Sequence, residues 1–461
     1  MSSRAQVSET MQTILTSRAK AVERETGFVS RSTVHLDGPI FSQTAVLTWM
    51  HTPQASYSQL RHTAASLGVQ VSNQAIEQRF GPASVRLLRA LLEETIGQVI
   101  SSEASAPEVL ARFNGVYLQD GTVISLPASL ARQWPRGGQA GQEAALRVQG
   151  RLELGSGHLS GLWLQAGREA ERSGPAITTP LPVGSLFHGD MGYFTLSEMR
   201  QRGKQGQYWL TQAKATLTLI DQRGQCWDLL SFLRAHKSEV VDVDLFVGKR
   251  ERLPVRLIAV RVSPEEAKRR RERANERITH PPKGCQAPLP GKCKPKEQRQ
   301  GKRKGKKVSA ARLRLADWTI VLTNVPQEQL SVPEALVLLR CRWQIELLWK
   351  LWKQYGKVDT WRSYKPERIL TEIYAKLLGL VITHWQLLIG CWQAPNRSLV
   401  KAKQVVEWMT PCLALALAGV VAVETVVGRT VQMMGKGCTI NARKRRPNTY
   451  QLLADPQLNS S

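Results

Sequence analysis

Acidic residues are scarce in this sequence, long apolar runs are absent and cysteines are few. Asp and Glu together number 37 against 64 Lys and Arg, so the formal net charge is +27 over 461 residues. The longest apolar run, Leu413–Val423, is well short of the ~20 residues that a membrane-spanning helix needs. Seven cysteines, an odd number scattered along the chain, indicate reduced thiols rather than a disulfide framework.

These scarcities exclude some classes of protein. An integral membrane protein is not expected, and the first residues, MSSRAQVSETMQ, contain no apolar core of the kind that a secretion signal requires. We therefore expect a cytoplasmic protein without a membrane partner. The excess of cations predicts a polyanionic partner, because each phosphate that a Lys or Arg neutralises releases bound counterions.

The first segment, residues 1–110, has the apolar spacing of helices and contains, near 57–80, the spacing of a helix-turn-helix motif. One helix ends at Gly68, a short turn follows, and Ser72 is a good N-cap for the next helix. The side chains predicted to reach base edges or phosphates are Asn73, Gln74, Gln78 and Arg79. An ordinary pair of packed helices fits the same pattern, but the charge of the chain favours DNA contact.

From about residue 114 the hydrophobic period changes from that of helices to that of strands. The segment GVYLQDGTVISLP predicts one strand, and AALRVQGRLELGSGHLSGLWLQAG predicts two more, joined by a Gly-Ser-Gly turn. The segment VGSLFHGDMGYF predicts a fourth strand that ends at Asp190. A short helix over 196–202 and a strand over 208–213 are expected next.

Residues 216–311 interrupt this pattern and predict an insertion. They contain strand-like segments, a helix that begins with the capping box Ser263 and Glu266, and a cationic loop rich in Pro, Gly and Lys that we expect to be disordered. A further strand, RLADWTIVLTN, and a series of helices follow. The expected segments are a helical DNA-binding domain (1–110), the first part of a catalytic core (111–215), the insertion (216–311), the second part of the core with C-terminal helices (312–427) and a basic tail (428–461).

The segment RCRWQIELLWKLWKQ places charged residues among apolar ones with helical spacing. At about 100° per residue, Glu346 and Lys353 fall within roughly 40° of Arg342, and Trp349 lies on the same side. One narrow face therefore carries a guanidinium, a carboxylate, an indole and an ammonium. Such a face suits a site where a carboxylate is held among cations, as metal and phosphate chemistry requires.

Three carboxylates fall on elements that a fold can bring together. Asp120 lies on the first strand, Asp190 at the end of the fourth, and Glu346 on a helix that follows the sheet. If they converge, they can hold two divalent metal ions, one activating a water or a 3′-hydroxyl and the other stabilising the leaving oxygen. A chain with 37 acidic residues contains many such triples, and each acid alone is more often a solvated surface group. The case therefore rests on the context of the three.

With LQDGT and HGDMGYF upstream, this context resembles bacterial insertion-sequence transposases of the DDE type. The group in question carries a Tyr-Arg-Glu-Lys signature on its last catalytic helix. Arg342, Glu346 and Lys353 match three residues of that signature, whereas Leu339 stands where the Tyr is expected. The resemblance, over roughly 55–450, implies an α/β fold with a ribonuclease-H-like mixed sheet and flanking helices. This core would be interrupted by a mainly β insertion and preceded by the helical DNA-binding domain.

The resemblance also implies roles for the site residues. Asp120, Asp190 and Glu346 would ligate two Mg²⁺ or Mn²⁺ ions, and Arg342 and Lys353 would hold phosphates near the cleaved end. The implied chemistry is hydrolysis to a 3′-hydroxyl, release of the element and in-line attack of that hydroxyl on target DNA. The implied partners are double-stranded DNA, as terminal repeats and as target, and a second copy of the chain in a synaptic homodimer, associated with the bacterial nucleoid.

Two other functions are compatible with these residues. A structure-selective nuclease on the same fold would cleave DNA without joining it, and a catalytically inactive transposase relic would only bind DNA. Leu339 is the sequence feature that favours the relic, and the three carboxylates argue against it. Some members of the family stack a flipped base on a Trp of the insertion. Trp227 and Trp318 lie in or beside that region, but a position in the core is the more common role of an indole.

Overall fold

The computed structural model describes residues 3–29, 35–102, 105–136, 143–170, 174–279, 310–392, 394, 396–440 and 447–456. The cationic loop that we expected to be disordered, including its Lys- and Arg-rich run 292–307, lies outside these residues. The chain divides into two compact units. The first comprises Met1–Tyr193, Gln205–Gln207 and Arg340–Ser461, and the second comprises Phe194–Lys204 and Tyr208–Leu339.

The described chain begins with helices, continues with a section in which strands predominate, and ends with helices again. The helices are α1 (Ser3–Thr13), α2 (Ala19–Glu25), α3 (Gly38–His51), α4 (Tyr57–Ser66), α5 (Asn73–Gln78), α6 (Pro82–Ile96), α7 (Glu108–Ala111), α8 (Pro175–Thr178), α9 (Leu196–Lys204), α10 (Leu229–Ala235), α11 (Pro264–Thr279), α12 (Ala310–Leu315), α13 (Val332–Cys341), α14 (Trp343–Lys350), α15 (Pro366–Cys391), α16 (Leu399–Leu417), α17 (Val423–Gly437) and α18 (Thr449–Ala454). The strands are β1 (Val116–Leu126), β2 (Ala144–Glu153), β3 (Leu159–Ala166), β4 (Leu186–Gly189), β5 (Tyr208–Gln212), β6 (Thr218–Ile220), β7 (Cys226–Asp228), β8 (Val240–Val247), β9 (Leu253–Arg261) and β10 (Trp318–Thr323).

In the first unit, four strands pair in the order β3-β2-β1-β4. β1 pairs antiparallel with β2, and β2 with β3, as the alternating pattern and the Gly-Ser-Gly turn predict. β4 is parallel to β1 and ends at Gly189, one residue earlier than expected. The register aligns Gln119 with Gly189. Asp120 and Asp190 therefore follow directly after aligned residues on neighbouring strands.

The second unit is built on strands in the order β5-β10-β9-β8-β6-β7, all antiparallel to their neighbours. Ser263 caps α11, since its Oγ accepts a hydrogen bond from the backbone of Glu266 at 3.3 Å. The inner face of α11 carries arginine where most helices carry leucine. Arg270 donates to the carbonyl of Trp318 at 3.1 Å and to Oγ1 of Thr319 at 3.0 Å. The helix is thus attached to β10 by charged hydrogen bonds, and Ala267 is its buried apolar residue in the described part of the helix.

Two short helices of the first unit, α4 and α5, lie on either side of the predicted turn. Ser56 and Gln59 form a capping box at the start of α4. The predicted N-cap Ser72 is confirmed, because its Oγ accepts a hydrogen bond from the backbone of Ala75 at 3.1 Å. α5 has only six residues, so one buried side chain, Ile76, fixes its inward face.

The central helix of the first unit is α15. Almost every residue of this 26-residue helix is buried, against α3, α6 and α17. Among the described residues it is the one helix long and apolar enough to cross a membrane, and 89% of its apolar window is buried inside the protein. Burial to that extent is typical of a core helix.

A buried triad of charges runs along α15. The carboxylate of Glu372 lies 2.8 Å from Nζ of Lys376 and 3.8 Å from Nη2 of Arg368, and all three side chains are buried. Burial lowers the pKa of Lys376 and of Arg368, and the charge of Glu372 opposes both shifts. Lys376 also donates to the carbonyl oxygens of Lys357 and Thr360 at 3.0 and 2.7 Å. The carboxylate is therefore the counter-ion on which both cations depend.

We expect Glu372→Gln to lower the free energy of unfolding by about 3 kcal/mol, because it leaves the buried cations of Arg368 and Lys376 without their carboxylate. Chemical denaturation measures the change. The matched control is Glu93→Gln, since Glu93 pairs with Arg89 at the same four-residue spacing but on the surface of α6, and should alter stability little. Equal effects of the two substitutions would contradict a stabilising role of the buried triad.

Candidate active site

Asp120 lies within β1, where successive side chains alternate between the two faces of the sheet. Its cross-strand partner on β2 is Gly150. Leu118, two residues earlier, shares the face of Asp120, and its parallel partner on β4 is His188. His188 is only 2% exposed and lies in the core. One face of the sheet thus carries Asp120 among buried neighbours.

The missing side chain at Gly150 makes room for Trp349 of α14. A Cβ atom at position 150 would stand 2.7 Å from Cη2 of the indole, closer than any unstrained contact. Because Gly150 is the partner of Asp120, the indole lies beside the carboxyl group. Trp349 is 6% exposed, and its Nε1 is buried with no hydrogen-bond partner in the described part of the chain.

The carboxyl group of Asp120 is a weaker acid than an aspartate in water. Burial raises its pKa from 3.8 to about 6. The backbone amide of Gly121 and the charge of Arg342 oppose the rise, whereas the charges of Glu346 and Asp190 add to it. Asp120 therefore lies within electrostatic range of both other candidate acids and of a cation.

The charged face of the helix is directed towards β1. Nη2 of Arg342 lies 2.6 Å from Oε1 of Glu346, and the two side chains are 30% and 29% exposed. Nζ of Lys353 donates a hydrogen bond to the carbonyl oxygen of Val123 on β1 at 2.8 Å. Arg342 and Glu346 are thus neighbours on one face of the helix, as the spacing predicts. Lys353 reaches the strand that carries Asp120.

This helix is less regular than the sequence predicts. Arg342 stands between α13 and α14 with helical backbone angles, and α14 passes into a π-helical turn, Leu351–Tyr355. A π turn holds more residues than an α turn, so Lys353 is rotated away from the angle expected at about 100° per residue. The spacing of about 100° per residue that we used for Lys353 therefore does not hold beyond Lys350.

Asp190 is exposed and follows β4 directly. Its carbonyl oxygen accepts a hydrogen bond from the backbone of Tyr193 at 2.9 Å, which closes a tight turn. The backbone of Asp190 is therefore held by the turn.

Within the described ranges, no group of three or more His, Cys, Asp and Glu side chains is close enough to hold a metal ion. The ion pair with Arg342 takes one oxygen of Glu346. The donors themselves suit a hard divalent ion, because Mg²⁺ and Mn²⁺ prefer carboxylate oxygens. A metal ion here would require Glu346 to exchange its guanidinium partner for the ion.

Comparison with known proteins places this site in a family. Residues 112–382, more than half of the chain, match the family model described as transposase DDE domain. The chain belongs to the DDE transposases of bacterial insertion sequences. The matched segment of this DDE transposase includes Asp120, Asp190 and Glu346, and it leaves α4 and α5 outside.

Similar proteins in several bacteria are named as transposases. The chain is 23% identical over 382 residues to the transposase for insertion sequence element IS231C of Bacillus thuringiensis subsp. berliner, covering 78% of this chain and 74% of that protein. It is 19% identical over 334 residues to the transposase for IS1151 of Clostridium perfringens, covering 68% and 66%. It is 25% identical over 287 residues to the putative transposase InsL for IS186A of Escherichia coli, covering 57% and 63%.

The four N-terminal side chains predicted to contact DNA differ in their surroundings. Nη2 of Arg79 donates to the carbonyl oxygen of Phe28 at 2.9 Å, its guanidinium lies 3.9 Å from the centre of the Phe28 ring, and burial lowers its pKa. These contacts give Arg79 a place in the packing of the N-terminal helices. Asn73 donates to Oγ of Ser58 at 3.3 Å near the surface. The remaining two are exposed: Gln74 and Gln78.

The two indoles considered for base stacking both have structural contacts in this transposase. Nε1 of Trp227 donates to Oδ2 of Asp221 at 3.0 Å. Trp318 is buried, and the guanidinium of Arg261 lies 4.9 Å from the centre of its ring. The burial of Trp318 agrees with the core role that we favoured, whereas Trp227 is only half-buried on β7.

Sequence reasoning missed Gly150 and Tyr193. A glycine inside a strand pattern marks close approach of another element, so Gly150 in RVQGRLE carried a signal. The aromatic end of HGDMGYF was a similar signal for Tyr193, because a buried aromatic ring beside an acid is able to anchor it. What the pattern could not provide was the strand register that sets Gly150 opposite Asp120, or the packing that sets Tyr193 against Gly121.

We expect Asp120→Asn to stabilise the metal-free protein at pH 7 by about 2 kcal/mol and to change stability little near pH 4. The native pKa of about 6 exceeds the ordinary 3.8, so native Asp120 keeps a proton that the unfolded chain has lost, and its contribution falls as pH rises between the two values. Denaturation in a chelator at both pH values measures this.

Asp228→Asn is the control of opposite sign. The side chain of Ser231 is the main cause of a lowered pKa at the exposed Asp228, so its contribution is present at neutral pH and lost on acidification. The Asn variant should therefore be less stable than the wild type at pH 7. Equal stability of Asp120→Asn and the wild type at pH 7 would contradict the burial of the Asp120 carboxyl group.

Proposed function

We propose that this chain is a DNA transposase that binds the ends of an insertion sequence, cleaves the DNA there and joins the 3′-hydroxyl ends to target DNA by two-metal-ion phosphoryl transfer. The observation that carries the proposal is the set of charges acting on Asp120, which come from Asp190, Glu346 and Arg342. Two acids that are distant in sequence act on a third only when the fold brings all three into one region.

The sheet of the first unit supports a ribonuclease-H-like catalytic core. Its strand order is β3-β2-β1-β4, with β4 parallel to β1. One candidate acid lies within β1, the second follows β4, and the third lies on α14, which contacts β1 and β2. This is the arrangement that the resemblance to DDE transposases leads us to expect.

Asp120, Asp190 and Glu346 would hold the metal ions, and the ions when bound would activate the attacking oxygen and stabilise the leaving one. The chain's own contribution begins with the burial of Asp120 beside Trp349. With water excluded on that side, the attraction of the carboxylate for an arriving cation is stronger than at the surface. The raised pKa of Asp120 follows from the same burial, and a cation would favour its ionised form.

Arg342 would change partners during the reaction. Without DNA, its guanidinium neutralises Glu346 at 2.6 Å. Once Glu346 turns to a metal ion, the guanidinium would be available to a backbone phosphate, which its parallel donors fit. Lys353 would add a second cation beside β1. We infer that DNA and metal ions assemble this site together.

Double-stranded DNA is the proposed partner, both as terminal repeats and as target. The net charge of +27 would give strong, salt-sensitive affinity for the backbone. Asn73, Gln74 and Gln78 on the outer side of α5 would add contacts to the repeat. We further propose a homodimer that holds two ends in the bacterial cytoplasm, associated with the nucleoid.

One observation favours a different function, that of a DNA-binding relic without activity. Leu339, half-buried on α13, stands where the resembled signature has Tyr. The leucine offers no hydrogen bond to a DNA end. The proposed carboxylates and Arg342 are present together, however, and for that reason we favour the active enzyme.

The decisive assay supplies purified protein and Mg²⁺ with a plasmid that carries the element's own ends. The wild type should yield excised element and joined products, and Glu346→Gln should reduce both by about 1,000-fold or more, because a metal ligand is lost. The control Glu108→Gln removes a carboxylate that pairs with Arg112 at the same spacing on α7, and it should retain activity.

Each alternative gives a different result in this assay. Cleavage without joining would identify a nuclease. Binding without products from the wild type would identify the relic, and Leu339→Tyr would then be tested for restored activity. Full activity of Glu346→Gln would exclude Glu346 as a metal ligand.

A further inference from the structure

Tyr193 lies three residues after Asp190 and has the opposite environment. Asp190 is exposed, whereas the ring of Tyr193 is 2% exposed. The backbone hydrogen bond from Tyr193 to the carbonyl of Asp190, at 2.9 Å, joins the two residues in one turn. Any movement of this turn would therefore have to carry a buried tyrosine with it.

The hydroxyl group of Tyr193 begins a buried chain of polar side chains. It donates to Oε1 of Gln149 on β2 at 3.2 Å, and Nε2 of Gln149 donates to Oε1 of Gln165 on β3 at 2.5 Å. Both glutamines are buried. A buried amide group without a hydrogen-bond partner costs more free energy than a formed hydrogen bond contributes. This series of hydrogen bonds therefore fixes the position of the Tyr193 hydroxyl.

The same hydroxyl lies against the strand that carries Asp120. A Cβ atom at Gly121 would stand 3.6 Å from Oη of Tyr193, and Gly121 is the cross-strand partner of Gln149. Because neighbouring residues of a strand face opposite ways, the tyrosine approaches the sheet from the side opposite to Asp120. It connects the turn of Asp190 to the backbone next to Asp120.

We propose that Tyr193 is a positioning residue, whose buried phenol, hydrogen-bonded to Gln149, holds the turn of Asp190 at a set distance from Asp120. The exposed Asp190 has little packing of its own to fix it, so the anchor has to come from the turn. The inference rests on the proposed function, since this distance matters only if both carboxylates bind metal ions. Partners that orient metal ligands commonly contribute about 10- to 100-fold to metal affinity.

The test uses Mn²⁺ alone as the probe, titrated into the DNA-free protein and followed by calorimetry. Tyr193→Phe removes only the hydroxyl, and we expect it to weaken Mn²⁺ binding by about tenfold. Tyr374→Phe is the matched control, because the hydroxyl of Tyr374 is buried on α15 with no hydrogen-bond partner in the described part of the chain. It should leave Mn²⁺ affinity unchanged.

A second variant separates positioning from simple stability. Gln149→Met removes the acceptor of the Tyr193 hydroxyl and should weaken Mn²⁺ binding by a similar factor. The double variant should bind no more weakly than either single one, since both remove the same hydrogen bond. The Mn²⁺ concentration that gives half-maximal plasmid cleavage should shift in the same order.

Two results would overturn the inference in different ways. Lower thermal stability of Tyr193→Phe with wild-type Mn²⁺ affinity would leave the tyrosine a structural residue only, with the proposed function intact. No Mn²⁺ binding and no cleavage by the wild type would remove the proposed metal site, and the inference with it.

Discussion

The partial burial of one carboxyl group, that of Asp120, is the constraint on which the candidate site depends. A carboxylate on a sheet loses hydration when a helix covers it, and the loss is tolerated only if cations or hydrogen bonds replace water. Here the indole of Trp349 packs on Gly150, the strand partner of Asp120, because the glycine leaves space for it. Arg342 supplies one charge of the required sign, while Asp190 and Glu346 add two of the wrong sign. Their surplus of negative charge favours the binding of a cation.

Glu372 is a fully buried acid, and it shows how a structural carboxylate differs from one prepared for chemistry. Glu372 lies on α15 between Arg368 and Lys376, so its charge is matched within the protein. Asp120 instead has acids as neighbours and a pKa near 6. A matched acid holds a core together. An acid that lies near other acids lowers the stability of the folded protein until a cation binds. Such destabilising groups are common at functional sites.

Much of the local structure could be predicted from the sequence. Strand alternation and a Gly-Ser-Gly turn indicated the three antiparallel strands, and serine N-caps marked the starts of α5 and α11. The four-residue spacing of Arg342 and Glu346 indicated their ion pair. These features depend on neighbours within a turn or a strand, which the sequence shows directly. The π-helical turn at Leu351–Tyr355 has no comparable local signature, because it depends on how the helix packs.

The sequence by itself determined which residues are available: acids on β1, after β4 and on α14, and a net charge suited to DNA. Only the tertiary structure decided how they act on one another. The pairing of Asp120 with Gly150 brings Trp349 to the neighbouring strand position, and the register of β4 with β1 brings Asp190 alongside. The packing of the Arg79 guanidinium on the Phe28 ring likewise depends on the tertiary structure. Each depends on contacts between residues distant in sequence, whose energies come from burial and register and therefore exist only in the folded chain.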